Sequence, residues 1–200
     1  MTEEKAVKVI LLGPSLVGKS SIVGYIMSHS FEQDRKPTIG VSFFNHFVKL
    51  ANNETIRLQI WDTAGDERYR AVAPIYYRDA NVVLLAYAMN DRETFSQVQS
   101  WYNEINQQME IKPLIFIVEN KKDLIDECAV SEEDKAQLFQ DIPEATFFSV
   151  SAKTGEAIDD LFTTVAAKAY EQHHTRITHQ KADVANTNSS DHTQQSKKCC

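Results

Sequence analysis

The sequence predicts an α/β fold: one doubly wound domain built on a mostly parallel six-stranded sheet with helices on both faces. Three observations predict it. Short apolar runs of strand length alternate with segments whose apolar residues recur every three or four positions. Only one pair of runs is close enough to form a hairpin. The alternation itself, strand then helix along the whole chain, is the pattern of parallel strands joined by crossover helices.

In order, Val7 to Leu12 is an apolar run ending at Gly13, the form of a strand buried on both faces. Lys19 to Ser30 follows as a helix with Ile22, Val23 and Ile26 on one side. Val41 to Leu50 and Thr55 to Trp61 flank the turn signal Asn52-Asn53, and Ile56, Leu58 and Ile60 alternate. This is the hairpin, and it adds one antiparallel edge strand. Val82 to Ala88 is a second buried strand, followed by a helix from Asp91 carrying Phe95, Val98, Trp101 and Ile105. Leu114 to Val118 is a strand, Ser131 caps a short helix through Gln140, and Thr146 to Val150 is the last strand. Ile158, Leu161, Phe162, Val165 and Ala169 mark one face of a final helix. Beyond about Gln172 the pattern stops, and residues 173–196 are mostly His, Thr, Gln, Asn and Ser. Such a segment buries too little to offset its ordering entropy. The expected organisation is one domain over 1–172 and a disordered tail over 173–200.

Composition narrows the class. The chain is 42% hydrophobic and 24% charged, ordinary for a globular protein. No run approaches the eighteen or so apolar residues of a spanning helix. Met1-Thr2-Glu3-Glu4-Lys5 has neither the shape of a signal peptide nor the glycine needed for myristoylation, so a cytosolic protein is expected. Cys128 stands alone, in a loop without a basic activator, and Cys199 and Cys200 are adjacent, so neither a disulfide framework nor a metal spacing can be built. From residue 173 on there are four basic and two acidic residues; the totals of 21 and 28 leave 17 and 26 before it, a body near −9. That body repels a phosphate backbone, which argues against nucleic acid as a partner. His173, His174, His179 and His192 are scattered through the polar tail and read as solvated linker.

The chemistry begins at Gly13-Pro14-Ser15-Leu16-Val17-Gly18-Lys19-Ser20, a match to G-x-x-x-x-G-K-[ST] between a strand and a helix. Backbone N–H groups of Ser15, Leu16, Val17, Gly18, Lys19, Ser20 and Ser21 can close around phosphates at a helix N-terminus. Lys19 offers a point charge to the outer phosphates and Ser20 a hydroxyl to magnesium. Trp61-Asp62-Thr63-Ala64-Gly65 puts an acid at a strand end, where it can hold the magnesium through water, and then a glycine whose N–H can approach a γ-phosphate. Asn120-Lys121-Lys122-Asp123 supplies a carboxylate able to accept from both N1–H and the 2-amino group of guanine. Adenine lacks that pair of donors and would leave Asp123 unpaired. Ser151-Ala152-Lys153 can present a backbone N–H to the guanine O6. Each motif stands at the carboxyl end of a strand, where α/β folds bind ligands. A metabolic phosphate-loop kinase fits the guanine-selective segment poorly.

With Ile39-Gly40-Val41-Ser42-Phe43 after Thr38, Arg57-Leu58-Gln59-Ile60-Trp61, Glu67-Arg68-Tyr69-Arg70 and Tyr76-Tyr77-Arg78, the chain from Lys5 to about Tyr170 resembles the Ras superfamily of small GTPases, and more closely the Rab family. Ala73-Pro74-Ile75-Tyr76-Tyr77 is similar to the early-endosomal branch. The resemblance implies a GTP/GDP switch, monomeric, that uses Mg2+ and recruits effectors in vesicle traffic. It implies that Thr38 ligates the metal in the GTP state, that Phe31 packs on the guanine, and that Phe43, Trp61 and Tyr76 form an apolar effector surface. Exchange-factor, activating and prenyl-escort proteins are implied as further partners. Three residues depart from the pattern. Asp66 stands where the family carries the catalytic glutamine, which favours slow intrinsic hydrolysis and keeps open a GTP-binding scaffold that barely hydrolyses. Glu119 replaces a glycine and Ala88 an aspartate, changes expected to alter packing rather than binding.

Lys198-Cys199-Cys200 is not a C-a-a-X box, because the fourth residue from the end is Lys197. It resembles the double-cysteine ending that is geranylgeranylated twice, and two chains anchor stably where one does not. About 25 disordered residues would span roughly 25–30 Å. The expected location is the cytosolic face of an intracellular, endosomal membrane.

Overall fold

The computed structural model describes residues 6–65 and 73–188, with 176–188 as backbone alone. Six strands form one sheet: β1 (Ala6–Leu12), β2 (Val41–Lys49), β3 (Thr55–Thr63), β4 (Val82–Ala88), β5 (Leu114–Asn120) and β6 (Thr146–Ser149), in the order β2-β3-β1-β4-β5-β6. β2 pairs antiparallel with β3, and the other four pairings are parallel. The helices are α1 (Lys19–Ser28), α2 (Ala73–Tyr77), α3 (Arg92–Ser96), α4 (Val98–Gln108), α5 (Glu132–Asp141) and α6 (Ile158–Asn188), with a 3-10 turn at Lys122–Glu127. The predicted doubly wound architecture is therefore the observed one.

Strand alternation sorts the core into two layers. Val9, Leu11, Leu84, Ala86, Phe116 and Val118 face α1 and α6, where they meet Ile22, Val23, Ile26, Leu161, Phe162 and Val165. Ile10, Leu12, Val83, Leu85, Ile115 and Ile117 face the other way, onto Tyr77, Val98, Trp101, Ile105 and Leu138. β4 is buried at all its positions, which is why it reads as a continuous apolar run. β2 is an edge strand and buries only Val48. The turn joining β2 to β3 closes through Leu50 N–H to Glu54 O (2.8 Å), with Asn53 in the left-handed region as the Asn-Asn signal requires.

Three local details differ from the sequence reading. The helix expected to run unbroken from Asp91 is two segments that meet at Gln97. Asp91 caps the first through the N–H groups of Glu93 and Thr94, and Ser96 turns its hydroxyl back to Glu93 O (2.7 Å), a bond that bends helices. α2 is too short to carry a periodicity and was not foreseen. α6 continues as helical backbone to Asn188, past Gln172 where regular structure was expected to end. Nothing in the sequence after Gly155 is Gly or Pro, so local propensity has no breaker to meet.

β1 lies where the strand order reverses, with β3 on one side and β4 on the other. The crevice beyond its carboxyl end is the topological switch point of the sheet.

Candidate functional site

The loop leaving β1 fills that crevice. Leu16 and Gly18 both have positive φ (63° and 93°), which turns successive N–H groups toward a common centre. Gly18 admits no side chain for a second reason: a Cβ there would stand 2.3 Å from the Asn120 amide nitrogen. Lys19, the first residue of α1, is only 4% exposed and donates from Nζ to Gly13 O (2.8 Å) and Pro14 O (2.7 Å). Burial lowers its pKa to about 8, against an upward pull from Asp62. A phosphate within reach would favour the charged form against the burial that disfavours it.

Ser20, Thr38 and Asp62 converge although they come from α1, the loop before β2 and the end of β3. The Ser20 and Thr38 hydroxyls are 2.5 Å apart, and Thr38 Oγ1 donates to Asp62 Oδ2 at 3.5 Å. Asp62 Oδ1 is buried without a hydrogen-bond partner. Burial raises the Asp62 pKa, and the Ser20 bond and the Lys19 charge oppose this. Two hydroxyls and a carboxylate with an orphaned oxygen are a hard-oxygen donor set, and that set fits a magnesium ion sharing its shell with phosphate oxygens. Gly65 abuts the same loop: a Cβ on it would lie 2.3 Å from Pro14 O and 2.4 Å from Ser15 N. With Ser15 it borders a cavity of about 400 Å³ reaching toward Trp101.

The second half of the site is a cavity of about 350 Å³. The phosphate loop contributes Leu16, Gly18 and Ser21 to its wall. Phe31, 40% exposed, covers one side. The segments after β5 and β6 contribute Asn120, Lys121, Asp123, Ala152 and Lys153. Asn120 is the tie between the halves: its amide donates to Val17 O (2.8 Å) and its oxygen accepts from Ala152 N (3.1 Å). Asp123 accepts from the Ser151 hydroxyl (2.6 Å) and lies 3.7 Å from Lys153 Nζ. Ser151 also accepts from Thr154 N (3.1 Å), which tightens the turn. Lys121, at φ 67°, swings the chain so that Asp123 returns to the cavity.

All the nucleotide-side residues expected from sequence are thus brought together except Asp66, which lies outside the described residues, as do Cys199 and Cys200. Gln33 and Leu124 also line the base cavity and were missed, since neither belongs to a motif. On the outer face of the hairpin Phe43 is 47% exposed and meets Trp61 edge-on, with ring centroids 5.5 Å apart. Lys8 Nζ lies 4.8 Å from the Trp61 ring centre. Tyr76 and Trp61 both rest, half-buried, on the core layer behind α2. Glu119, expected to affect packing, is buried among polar partners.

Comparison with known proteins agrees with this geometry. The Ras family model matches residues 8–171. The chain is 39% identical over 168 residues to the Ras-related protein Rab-5B of Plasmodium falciparum, covering 84% of this chain and 80% of that one. It is 37% identical over 161 residues to the GTP-binding protein ypt5 of Schizosaccharomyces pombe, covering 80% and 76%. To the human Ras-related protein Rab-22A it is 40% identical over 164 residues, covering 82% and 84%.

Proposed function

The chain belongs to the Ras family and within it to the Rab small GTPases, and we propose that it is a GTP/GDP switch of endosomal vesicle traffic whose unaided hydrolysis is slow. The observation that carries the site assignment is Asn120, which bonds the phosphate loop at Val17 and the base loop at Ala152 at once. A guanine in the 350 Å³ cavity would then sit at a fixed distance from the phosphate loop. Asp123 would accept from its N1–H and 2-amino group, and Phe31 would cover its face.

Ser20, Thr38 and Asp62 would hold Mg2+, which would supply positive charge to the outer phosphate oxygens. Lys19 reaches the same oxygens by giving up its bonds to Gly13 O and Pro14 O. Water attacks the γ-phosphorus in line, the bond to the β-phosphate oxygen breaks, and the water's proton ends on the released phosphate. Thr38 stands on the loop before β2 and already meets Ser20 and Asp62, so a metal held there with the γ-phosphate would fix that loop and loss of the γ-phosphate would loosen it. This is the switch that effectors read across Phe43, Trp61 and Tyr76. The scaffold alternative rests on Asp66. An ionised aspartate accepts hydrogen bonds but cannot donate to the γ-phosphate, and its charge is disfavoured beside a polyanion.

Single-turnover hydrolysis decides between them. Asp66→Gln is expected to raise the unaided rate by about ten-fold, or ~1.4 kcal/mol in the barrier. With a Rab-type activating protein that supplies its own arginine and glutamine, the two proteins should differ little. An equal or slower unaided rate for Asp66→Gln would sink the assignment of slow hydrolysis to Asp66.

Membrane attachment is proposed through prenylated Cys199 and Cys200, supported by the likeness of that pair to the double-cysteine ending of the family and by the stable anchoring that two lipid chains give. Deleting both cysteines should leave the protein in the cytosolic fraction with unchanged nucleotide affinity. A truncated chain that still sediments with membranes would refute the anchor.

A further inference from the structure

Glu119 is a carboxylate with 1% of its surface exposed, near the end of a strand that is apolar from Leu114 to Val118. A charge so buried persists only when it is paired and fully hydrogen-bonded. Its partners come from three elements. Tyr87 Oη donates to it at 2.7 Å and Ser149 Oγ at 3.0 Å. These residues are its register partners on β4 and β6. Lys135 reaches in from α5, with Nζ 2.8 Å from Oε2 and 3.2 Å from Oε1. Burial and then the Glu119 charge push the Tyr87 hydroxyl well above its ordinary pKa, so it stays a donor. Burial pulls the Lys135 ammonium down, but its bonds to Glu119 and to Glu132 outweigh this and the net shift is upward.

The carboxylate therefore fastens the tip of β5 to both neighbouring strands and to the helix behind them. The next residue is Asn120, whose side chain leaves the opposite face of the sheet by strand alternation. Asn120 holds Val17 O and Ala152 N, so a shift of the β5 tip on one face becomes a shift of the base loop on the other. α5 is itself tied to α3, where Arg92 donates to both carboxylate oxygens of Asp134 (2.8 Å to Oδ1). Neither Glu119 nor Lys135 lines the base cavity.

We propose that Glu119 is a positioning residue for guanine recognition, acting through Asn120, with Lys135 as its required counter-charge. The inference rests on the reading that Asn120 and Asp123 hold the base. It makes the grip on the nucleotide depend on a helix that never touches it.

The experiment follows dissociation of GDP and of inosine diphosphate, which lacks the 2-amino group, from the full chain with magnesium present. Lys135→Met leaves the carboxylate buried without a cation. It should speed GDP release by about ten-fold or more and narrow the preference for GDP over inosine diphosphate. The double variant Glu119→Gln with Lys135→Met has no buried charge, and should return both quantities to within about three-fold of wild type. A purely structural pair would lower the melting temperature and accelerate both nucleotides alike. Release of GDP from Lys135→Met within about two-fold of wild type, or equal acceleration of the two nucleotides, overturns the proposal. If Lys135→Met does not fold, Lys135→Gln, which removes the cation but keeps a hydrogen-bond donor, is read against the same outcomes. A wild-type chain that bound neither nucleotide would instead overturn the reading of the base site.

Discussion

The body of the sheet and its carboxyl rim are built from different chemistry. Between the helices the strands bury aliphatic and aromatic side chains on both faces. Among the described residues the buried polar and charged ones are Lys19, Asp62, Thr63, Thr94, Glu119, Asn120, Lys135 and Ser151. Every one of them lies at the carboxyl end of a strand, in the segment just after it, or reaches back to such a residue. Apolar burial is non-directional and tolerates small shifts, whereas a buried polar group must find a partner within hydrogen-bond range. The body can therefore supply stability without specifying the position of any one atom. The rim does the reverse, at a cost in desolvation that the body offsets.

The strongest test of this division is Phe162→Ala. Phe162 is fully buried on α6 and packs among Leu58, Ile60 and Val165 in the same core layer. Its truncation should cost about 3–5 kcal/mol, read as the shift in denaturant midpoint at a fixed GDP concentration. The GDP dissociation rate of the folded protein should stay within about two-fold of wild type, because distant sites couple weakly. A variant that unfolds little but sheds its nucleotide would break the comparison.

Asn120→Ala probes the other side. It removes the partner of a buried carbonyl at Val17 and of the Ala152 N–H. Unsatisfied buried groups cost about 1–3 kcal/mol each, and here the cost falls where the base and phosphate loops meet. GDP affinity should drop about a hundred-fold, ~2.7 kcal/mol, mostly through faster release, with a smaller loss of stability than Phe162→Ala. Titration with a fluorescent GDP and thermal melts of the same preparation measure both. The reverse order of effects would show that Asn120 is a core residue first.

The same division explains what was legible in the sequence. The body is written in periodicity: β4 is an unbroken apolar run, and Ile158, Leu161, Phe162 and Val165 recur at helical spacing. The phosphate loop is legible because glycines are the residues that tolerate its geometry, and Gly18 has both a positive φ and no room for a Cβ. The ties across the rim left no such trace. Asn120 and Val17 are 103 residues apart and Glu119 and Tyr87 are 32 apart, and no local pattern reports a contact at that range. Tyr87 even reads as one more apolar member of β4, since its ring is buried and only its hydroxyl turns to Glu119. The break at Gln97 and the length of α6 were missed for the opposite reason: each is set by local bonds or by the lack of a breaker, not by the apolar pattern.

The smallest predicted effect concerns an ionisable group within the body. His46, on β2 and paired with Leu58, is half-buried and faces the Phe162 ring with centroids 6.1 Å apart. Burial lowers its pKa below the ordinary 6.5; Asp159 on α6 works against this shift and His29, beyond the end of α1, works with it. Because the folded value is the lower one, the unfolded chain binds the proton more tightly. Stability present at neutral pH is then lost as the pH falls below about 6.5 and on through the folded value, and it rises with pH across that window. His46→Gln keeps a polar side chain of similar reach and removes the titration. Melting temperatures taken between about pH 7 and pH 5 should therefore fall less steeply for His46→Gln than for wild type. GDP release at neutral pH should not change, because His46 sits in the body and makes no contact with the rim. An unchanged pH slope would show that another group sets the acid sensitivity. Asp62 acts in the opposite sense, because burial raises its folded pKa and a carboxylate protonated first in the folded state favours the folded chain in acid.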